Sequence, residues 1–326
     1  MDKNIFKVKG TYVNGQWFNS KTSYEVFNPS NGEKLSDVPI SDRKELELAV
    51  ASAKKAQAVW SKTSLIERAK CLEELSKKIL AKEEEFALID SYDSGNAITG
   101  MRKDVKETVN NIRYFCGLVR EVKGETFSME KNHLNFTRYQ PYGVVLKINP
   151  FNHPFRFCVE KIAAPLLMGN SLIIKNSEQA PISSLRFCEL LDDIFPKGLI
   201  NVVTGGPENG NFLVVIGSVN TGIAIAKSAA PLLKNISLEL GGKNPIIVFE
   251  DADPDFAAGL AIKGMNLSRQ GQSCSSTSRV LVNKKVKEKF LKSLVEKAKK
   301  IPIGLPWIET NEIGPIVSKK QFDGVM

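Results

Sequence analysis

Histidine is scarce in this chain: 326 residues contain only two, His133 and His153, and neither has a cysteine or serine partner beside it in sequence. A Cys-His hydrolase is therefore poorly supported. Cysteine is sparse too. The five residues at positions 71, 116, 158, 188 and 274 form no C-x-x-C pair, so a metal cluster is not expected, and an odd, scattered set suits a reducing compartment. No apolar run is long enough to span a bilayer. The best stretch, Ile162 to Ile174, is short, flanked by Lys161 and Lys175, and broken by Pro165, Gly169 and Asn170. The N-terminal residues Met1 to Lys7 lack the apolar segment of a secretory signal, so the cytoplasm is the expected location and no membrane partner is expected. A G-x-G-x-x-G turn, an internal repeat and a low-complexity segment are likewise missing.

What is present is the composition of a globular protein, with 42% hydrophobic and 25% charged residues and length for two domains. The net charge of +9 raises the question of nucleic acid. Its richest stretch, Lys284 to Lys300, interleaves Glu288 and Glu296 with lysines over a stripe of Val286, Phe290, Leu294 and Val295. That is a solvated helix face, and no nucleic-acid partner is expected.

Periodicity sets out the architecture. Ser41 is placed to cap a helix carrying Leu46, Ala49, Val50, Ala53, Ala56 and Trp60. Ser64-Leu65-Ile66-Glu67 reads as a capping box that opens a second helix with Leu72, Leu75 and Ile79 inward. More helix is expected from Val105 to Val122. Residues 125–141 alternate with period two, as an exposed hairpin arm does. From Tyr142 onward, strands at 143–148, 171–175 and 199–203 alternate with helical runs, the pattern of a parallel, doubly wound sheet. Residues 244–249 and 278–282 begin a second α/β region.

Three short segments carry chemistry. Cys274 stands in Gly271-Gln272-Ser273-Cys274-Ser275-Ser276-Thr277, among small polar groups, whereas the other four cysteines sit in apolar, helix-like surroundings. Glu239 stands in Leu238-Glu239-Leu240-Gly241-Gly242-Lys243, where the glycines leave backbone room for a ligand. Asn152 stands between two prolines in Pro150-Phe151-Asn152-His153-Pro154. In this order and spacing, from about Val13 to Gln321, the segments resemble the aldehyde dehydrogenase superfamily.

The resemblance implies an α/β fold: a doubly wound parallel-sheet dinucleotide-binding domain plus an incomplete α/β catalytic domain. It places the first at 1–124 and 142–241, a bridging and oligomerisation arm at 125–141, and the second at 242–326. It implies a homo-oligomer, a small aldehyde as substrate, and NAD as cofactor with NADP as the alternative. Cys274 would attack the aldehyde carbonyl, and the Asn152 amide with the Cys274 backbone N–H would hold the oxyanion. Hydride would leave to the nicotinamide, and Glu239 would activate water to hydrolyse the resulting thioester. Coenzyme A-dependent relatives often lack that glutamate, so a coenzyme A-acylating activity is the weaker alternative. Lys175 and Glu178, in Lys175-Asn176-Ser177-Glu178, would reach the adenine ribose, although Asn176 replaces the usual proline. Gly217 and Ser218 would contact the phosphates, and Ile148 and Pro150 would line the cofactor site. Two departures stand out. From Thr204 to Val214 there are too few residues for both a proper helix and a turn, so a displaced or shortened element is expected at 208–216. After Met326 the family pattern continues into an E-x-F-G-P segment, which makes a partial, inactive remnant the other reading.

Overall fold

A computed structural model describes residues 3–205 and 219–326. The shortened element expected at 208–216, with Gly217 and Ser218, lies outside the described residues.

The main sheet has five strands in the order β2-β1-β9-β8-β7. Its parallel part is β7 (Val144–Ile148), β8 (Ser171–Lys175) and β9 (Ile200–Val203), as the alternating pattern predicts. The sequence reading missed the hairpin β1 (Thr11–Val13) and β2 (Gln16–Phe18), which adds an antiparallel edge by pairing Tyr12 with Val202. Successive side chains of β8 serve opposite faces. Ile173 packs with Val13, Leu46, Ala49, Ala53 and Val203 under helix α1 (Arg43–Trp60). Leu172 and Ile174 enter the larger core on the other face. Strands buried on both faces read as continuous apolar runs, which is why these three were legible.

That larger core is built by α2 (Leu65–Ala81), α3 (Glu83–Ser94) and α4 (Ile98–Leu118) with the short helices α5 (Pro154–Val159), α6 (Ala163–Leu167) and α7 (Ile182–Phe187). The Ser64–Glu67 capping box is present, and Leu72, Leu75 and Ile79 are fully buried. Helix α4 starts at Ile98, earlier than its periodicity indicated, and gives way at Val119 to a single 3₁₀ turn.

The cap of α1 is a correction. Asp42, not Ser41, accepts the Glu45 N–H at 2.8 Å. Buried Ser41 instead accepts the Thr204 N–H at 3.1 Å through its hydroxyl and donates its own N–H to the Thr204 carbonyl. A second capping residue stands next door, and Ser41 fastens the end of β9 instead.

Between β3 (Ser23–Phe27) and β4 (Lys34–Pro39) runs a separate antiparallel pair. Within 125–141, β5 (Thr126–Glu130) and β6 (His133–Phe136) form the expected exposed hairpin, with Phe127, Leu134 and Phe136 facing solvent. Helix α8 (Val219–Ala229) leads through an irregular stretch to β10 (Asn244–Val248). That strand pairs in parallel with β11 (Thr277–Val282) across helix α9 (Pro254–Gly264), a right-sized crossover, and α10 (Lys287–Ala298) packs on α9. A last helix, α11 (Lys319–Val325), closes the described chain. Among the described residues no helix is long and apolar enough to cross a membrane.

Candidate active site

The carboxyl ends of parallel strands are where open α/β sheets present ligands, and Ile148, Pro150, Asn152, Lys175 and Glu178 lie at or just beyond the ends of β7 and β8. Ile148 ends β7 directly opposite Lys175, which ends β8. Both are buried, and Pro150 follows half-exposed. The Lys175 ammonium donates to the Asn176 carbonyl at 3.3 Å and lies 4.0 Å from the Glu178 carboxylate, which is partly open to solvent. One cationic donor and one carboxylate acceptor side by side match the needs of vicinal ribose hydroxyls. The donor set therefore fits the ribose of a dinucleotide.

The chain then turns from β7 into α5, and this turn carries Asn152. It is fastened from several sides. The Asn149 N–H donates to the Lys175 carbonyl at 2.9 Å. Pro154 opens α5, where a missing N–H costs nothing, and the next N–H, of Phe155, donates to buried Asp90 at 3.0 Å. At the far end of α5 the Lys147 ammonium, fully buried, caps the last carbonyls, including that of Cys158 at 2.9 Å. Burial brings Lys147 down to about 8.

Asn152 is buried, and its side-chain amide donates to the carbonyl of Gln272 at 2.8 Å, while its own carbonyl accepts from Asn96. The two predicted loops are thus joined directly, two residues from Cys274. Cys274 is exposed on a turn before β11. Its carbonyl accepts from the Asn244 amide at 2.6 Å, and the same amide reaches the Ser276 carbonyl at 3.1 Å. Among the described residues the Cys274 N–H meets no acceptor. An Asn amide has two hydrogens, and Gln272 takes one. Among the described residues the other hydrogen of Asn152 meets no acceptor either.

The remaining cysteines differ. Burial pushes the thiols of Cys116 and Cys158 up to about 11, and raises those of Cys188 and Cys71 also. Glu239 is exposed, in a stretch where Leu238 and Leu240 pack on Gly222 of α8, so the alternation turns its carboxylate to solvent. Among the described residues it makes no hydrogen bond or ion pair. The structure brings Asn152 and the Cys274 loop together, and Ile148 with Lys175; among the described residues Glu239 makes no hydrogen bond or ion pair with either group.

Sequence reasoning missed the charged cluster behind the loops. Asp104 of α4, almost fully buried, takes His153 on one oxygen at 2.6 Å and Arg269 on the other at 2.6 Å; Arg156 stands at 3.4 Å. Burial alone would raise the Asp104 carboxyl, but His153, Arg269 and Arg156 outweigh it and hold it below its ordinary range. His153 is held below its ordinary value, by burial first and by the two arginines. Arg269 sits five positions before Cys274, so a signal existed; Asp104 reads locally as one more polar helix residue.

A parallel α/β sheet with Lys175 and Glu178 at its strand ends, and a loop with an exposed cysteine tied to Asn152, is the arrangement of an α/β nucleotide-binding fold. The family model "Aldehyde dehydrogenase family" matches residues 17–326, and the chain belongs to that family. It is 36% identical to aldehyde dehydrogenase tropH of Talaromyces stipitatus over 97% of this chain and 64% of that protein. Among solved structures it is similar to PnpE in complex with nicotinamide adenine dinucleotide, with 33% identity and a TM-score of 0.93 over 97% of this chain and 68% of the other. It is also similar to a betaine aldehyde dehydrogenase point mutant from Staphylococcus aureus in complex with NAD+, with 32% identity and a TM-score of 0.95 over 100% and 69%. The chain spans just under two thirds of the length of the first curated relatives it matches, 64%, 65% and 63%.

Proposed function

We propose that the protein oxidises an aldehyde to a carboxylate with NAD or NADP through a covalent intermediate on Cys274. The observation that carries the reading is the 2.8 Å bond from the Asn152 amide to the Gln272 carbonyl, which ties the Asn152 turn to the loop two residues before Cys274. Attack of the thiolate on the carbonyl carbon forms the C–S bond and moves the carbonyl π electrons to oxygen. The second Asn152 hydrogen and the Cys274 N–H then receive that charge. Bound NAD(P) supplies the hydride acceptor for collapse to the thioester. Glu239 takes a proton from water, whose oxygen attacks the thioester carbon and returns the thiolate as leaving group. Its exposure leaves it accessible to solvent water.

Lys175 and Glu178 hold the adenine ribose, Ile148 and Pro150 line the cofactor site, and Gly217 with Ser218 meets the phosphates. In this reading 1–124 and 142–241 form the cofactor domain, 125–141 an oligomerisation arm and 242–326 the catalytic part. Support comes from the family, from relatives named for aldehydes, and from structural relatives holding NAD+. The test is NADH or NADPH production by the purified chain with a panel of aldehydes. Saturable activity that falls by roughly several powers of ten in Cys274→Ala bears the reading out. Equal rates in both proteins, or none in the unaltered chain, would sink it.

A further inference from the structure

The buried Asp104 cluster closes a circuit. The Asn152 amide holds the Gln272 carbonyl at 2.8 Å, and the Gln272 N–H donates to the Arg269 carbonyl at 2.8 Å. The Arg269 guanidinium reaches one oxygen of Asp104 at 2.6 Å, His153 reaches the other at 2.6 Å, and His153 follows Asn152 in the chain. The ring passes through α4, the loop after β7 and the 3₁₀ turn Leu267–Arg269 that leads to Cys274. We propose that Asp104 and Arg269 are positioning residues, a charged latch that fixes the Cys274 loop in register with the Asn152 amide. The inference rests on the reading of Cys274 as the nucleophile and Asn152 as its oxyanion donor.

Three observations carry it. The loop does not lie in relaxed backbone. Gln270 at φ 54° and Asn266 at φ 53° are both left-handed, a conformation that asparagine tolerates but that glutamine keeps only when its surroundings hold it. The holding contacts are specific: Gln270 donates to the Gly95 carbonyl at 2.8 Å, and Gln272 donates to the Gln270 side chain at 2.7 Å. Second, the cluster is costly to bury. An apolar trio of like volume would fill the same space without desolvating a carboxylate and a guanidinium, so bulk packing does not explain the charge. Third, the geometry is directional. The guanidinium fork spends separate donors on Asp104 and on the Ser268 hydroxyl at 2.9 Å, while its Nε stands 3.0 Å from the same His153 Nδ1 that faces Asp104. A short contact between His153 Nδ1 and a carboxylate needs a proton on that nitrogen, so Asp104, not the imidazole, is the acceptor that anchors Arg269. The charged and titratable groups facing Asp104 are His153, Arg269, Arg156 and, from α3, Asp90.

The latch is tested on the full chain by hydrogen exchange of the amides at 270–276, beside kcat and KM. Arg269→Met and Asp104→Leu each speed exchange there by about tenfold or more, while amides of β7 and β8 change by less than about twofold. kcat falls at least about tenfold with KM for NAD unchanged, because alignment is lost and the cofactor site is not touched. The double variant Asp104→Leu/Arg269→Met separates positioning from filling. It removes both buried charges, so it regains thermal stability, yet the loop stays unlatched and its exchange stays fast. Wild-type protection in the double variant, or exchange within about twofold of wild type in the single ones, overturns the proposal. Should Arg269→Met fail to fold, Arg269→Lys keeps the charge, loses the fork and reads the same amides. A wild-type chain without NAD(P)H production would defeat the reaction proposed above, and the exchange arm would still decide the latch.

Discussion

Cys274 is the one exposed cysteine of five, while burial raises the other four thiols. The thiolate is the reactive form, so brief treatment with iodoacetamide labels Cys274 first, with Cys71 next and Cys116, Cys158 and Cys188 last. Peptide mapping reads the order, and early labelling of Cys188 would show that the described core is not formed. A second residue-scale prediction concerns Asp90. Burial lifts this carboxyl to about 7, against the donors Ser183 and Phe155 that favour its charge. Its folded value lies above the unfolded one, so the native chain binds the extra proton. The stability this contributes is whole below about pH 4 and is lost as pH rises toward 7 and beyond. Asp90→Asn keeps an acceptor for the Phe155 N–H and removes the titration. Relative to wild type it gains stability with rising pH, on the order of 2–4 kcal/mol between pH 5 and pH 8, read as a flatter Tm profile. A parallel pair of profiles would refute the assignment. At this scale the small polar neighbours of Cys274 and the prolines around Asn152 were legible. Asp104 and Asp90 were not, because a buried carboxylate is recognised only by partners 49, 65 and 165 positions away.

Elements were read where one physical signal decided them. The three parallel strands announced themselves by apolar runs, and the capping box by four consecutive residues. Helix α1 shows the limit of such signals: Ser41 and Asp42 are both good caps, and local sequence cannot choose between them. Tertiary context chose, by engaging Ser41 with Thr204. Asp42→Ala is expected to cost about 1 kcal/mol, seen as a lower denaturant midpoint with unchanged slope, and to speed exchange of the Glu45 N–H. Ser41→Ala should leave that amide as it was and expose Thr204 instead. Equal effects at Glu45 from both variants would return the cap to Ser41.

Across the whole molecule the described surface is unevenly finished. The face of the β10–β11 pair turned away from α9 exposes Ile247 and Leu281, paired in register, at 56% and 55%, with Phe249 at 66%. An apolar patch on two short strands favours association. Sedimentation of the chain is expected to show mass rising with concentration, and Ile247→Lys/Leu281→Lys should abolish the rise without altering the far-ultraviolet spectrum. Mass independent of concentration in the unaltered chain would count against it. The second α/β region was legible as a region. The edge hairpin β1–β2 was not, since its place beside β9 depends on residues far along the chain. That distance has a temporal consequence. Asn14 donates to Asn201 across 187 positions, and Tyr12 pairs with Val202. On a ribosome adding roughly 5–20 residues per second, the hairpin is made first and waits about 10–40 s for its seat to emerge. Until then the chain's earliest strands have no sheet to join, and whatever shields them in that interval governs the yield of folded protein.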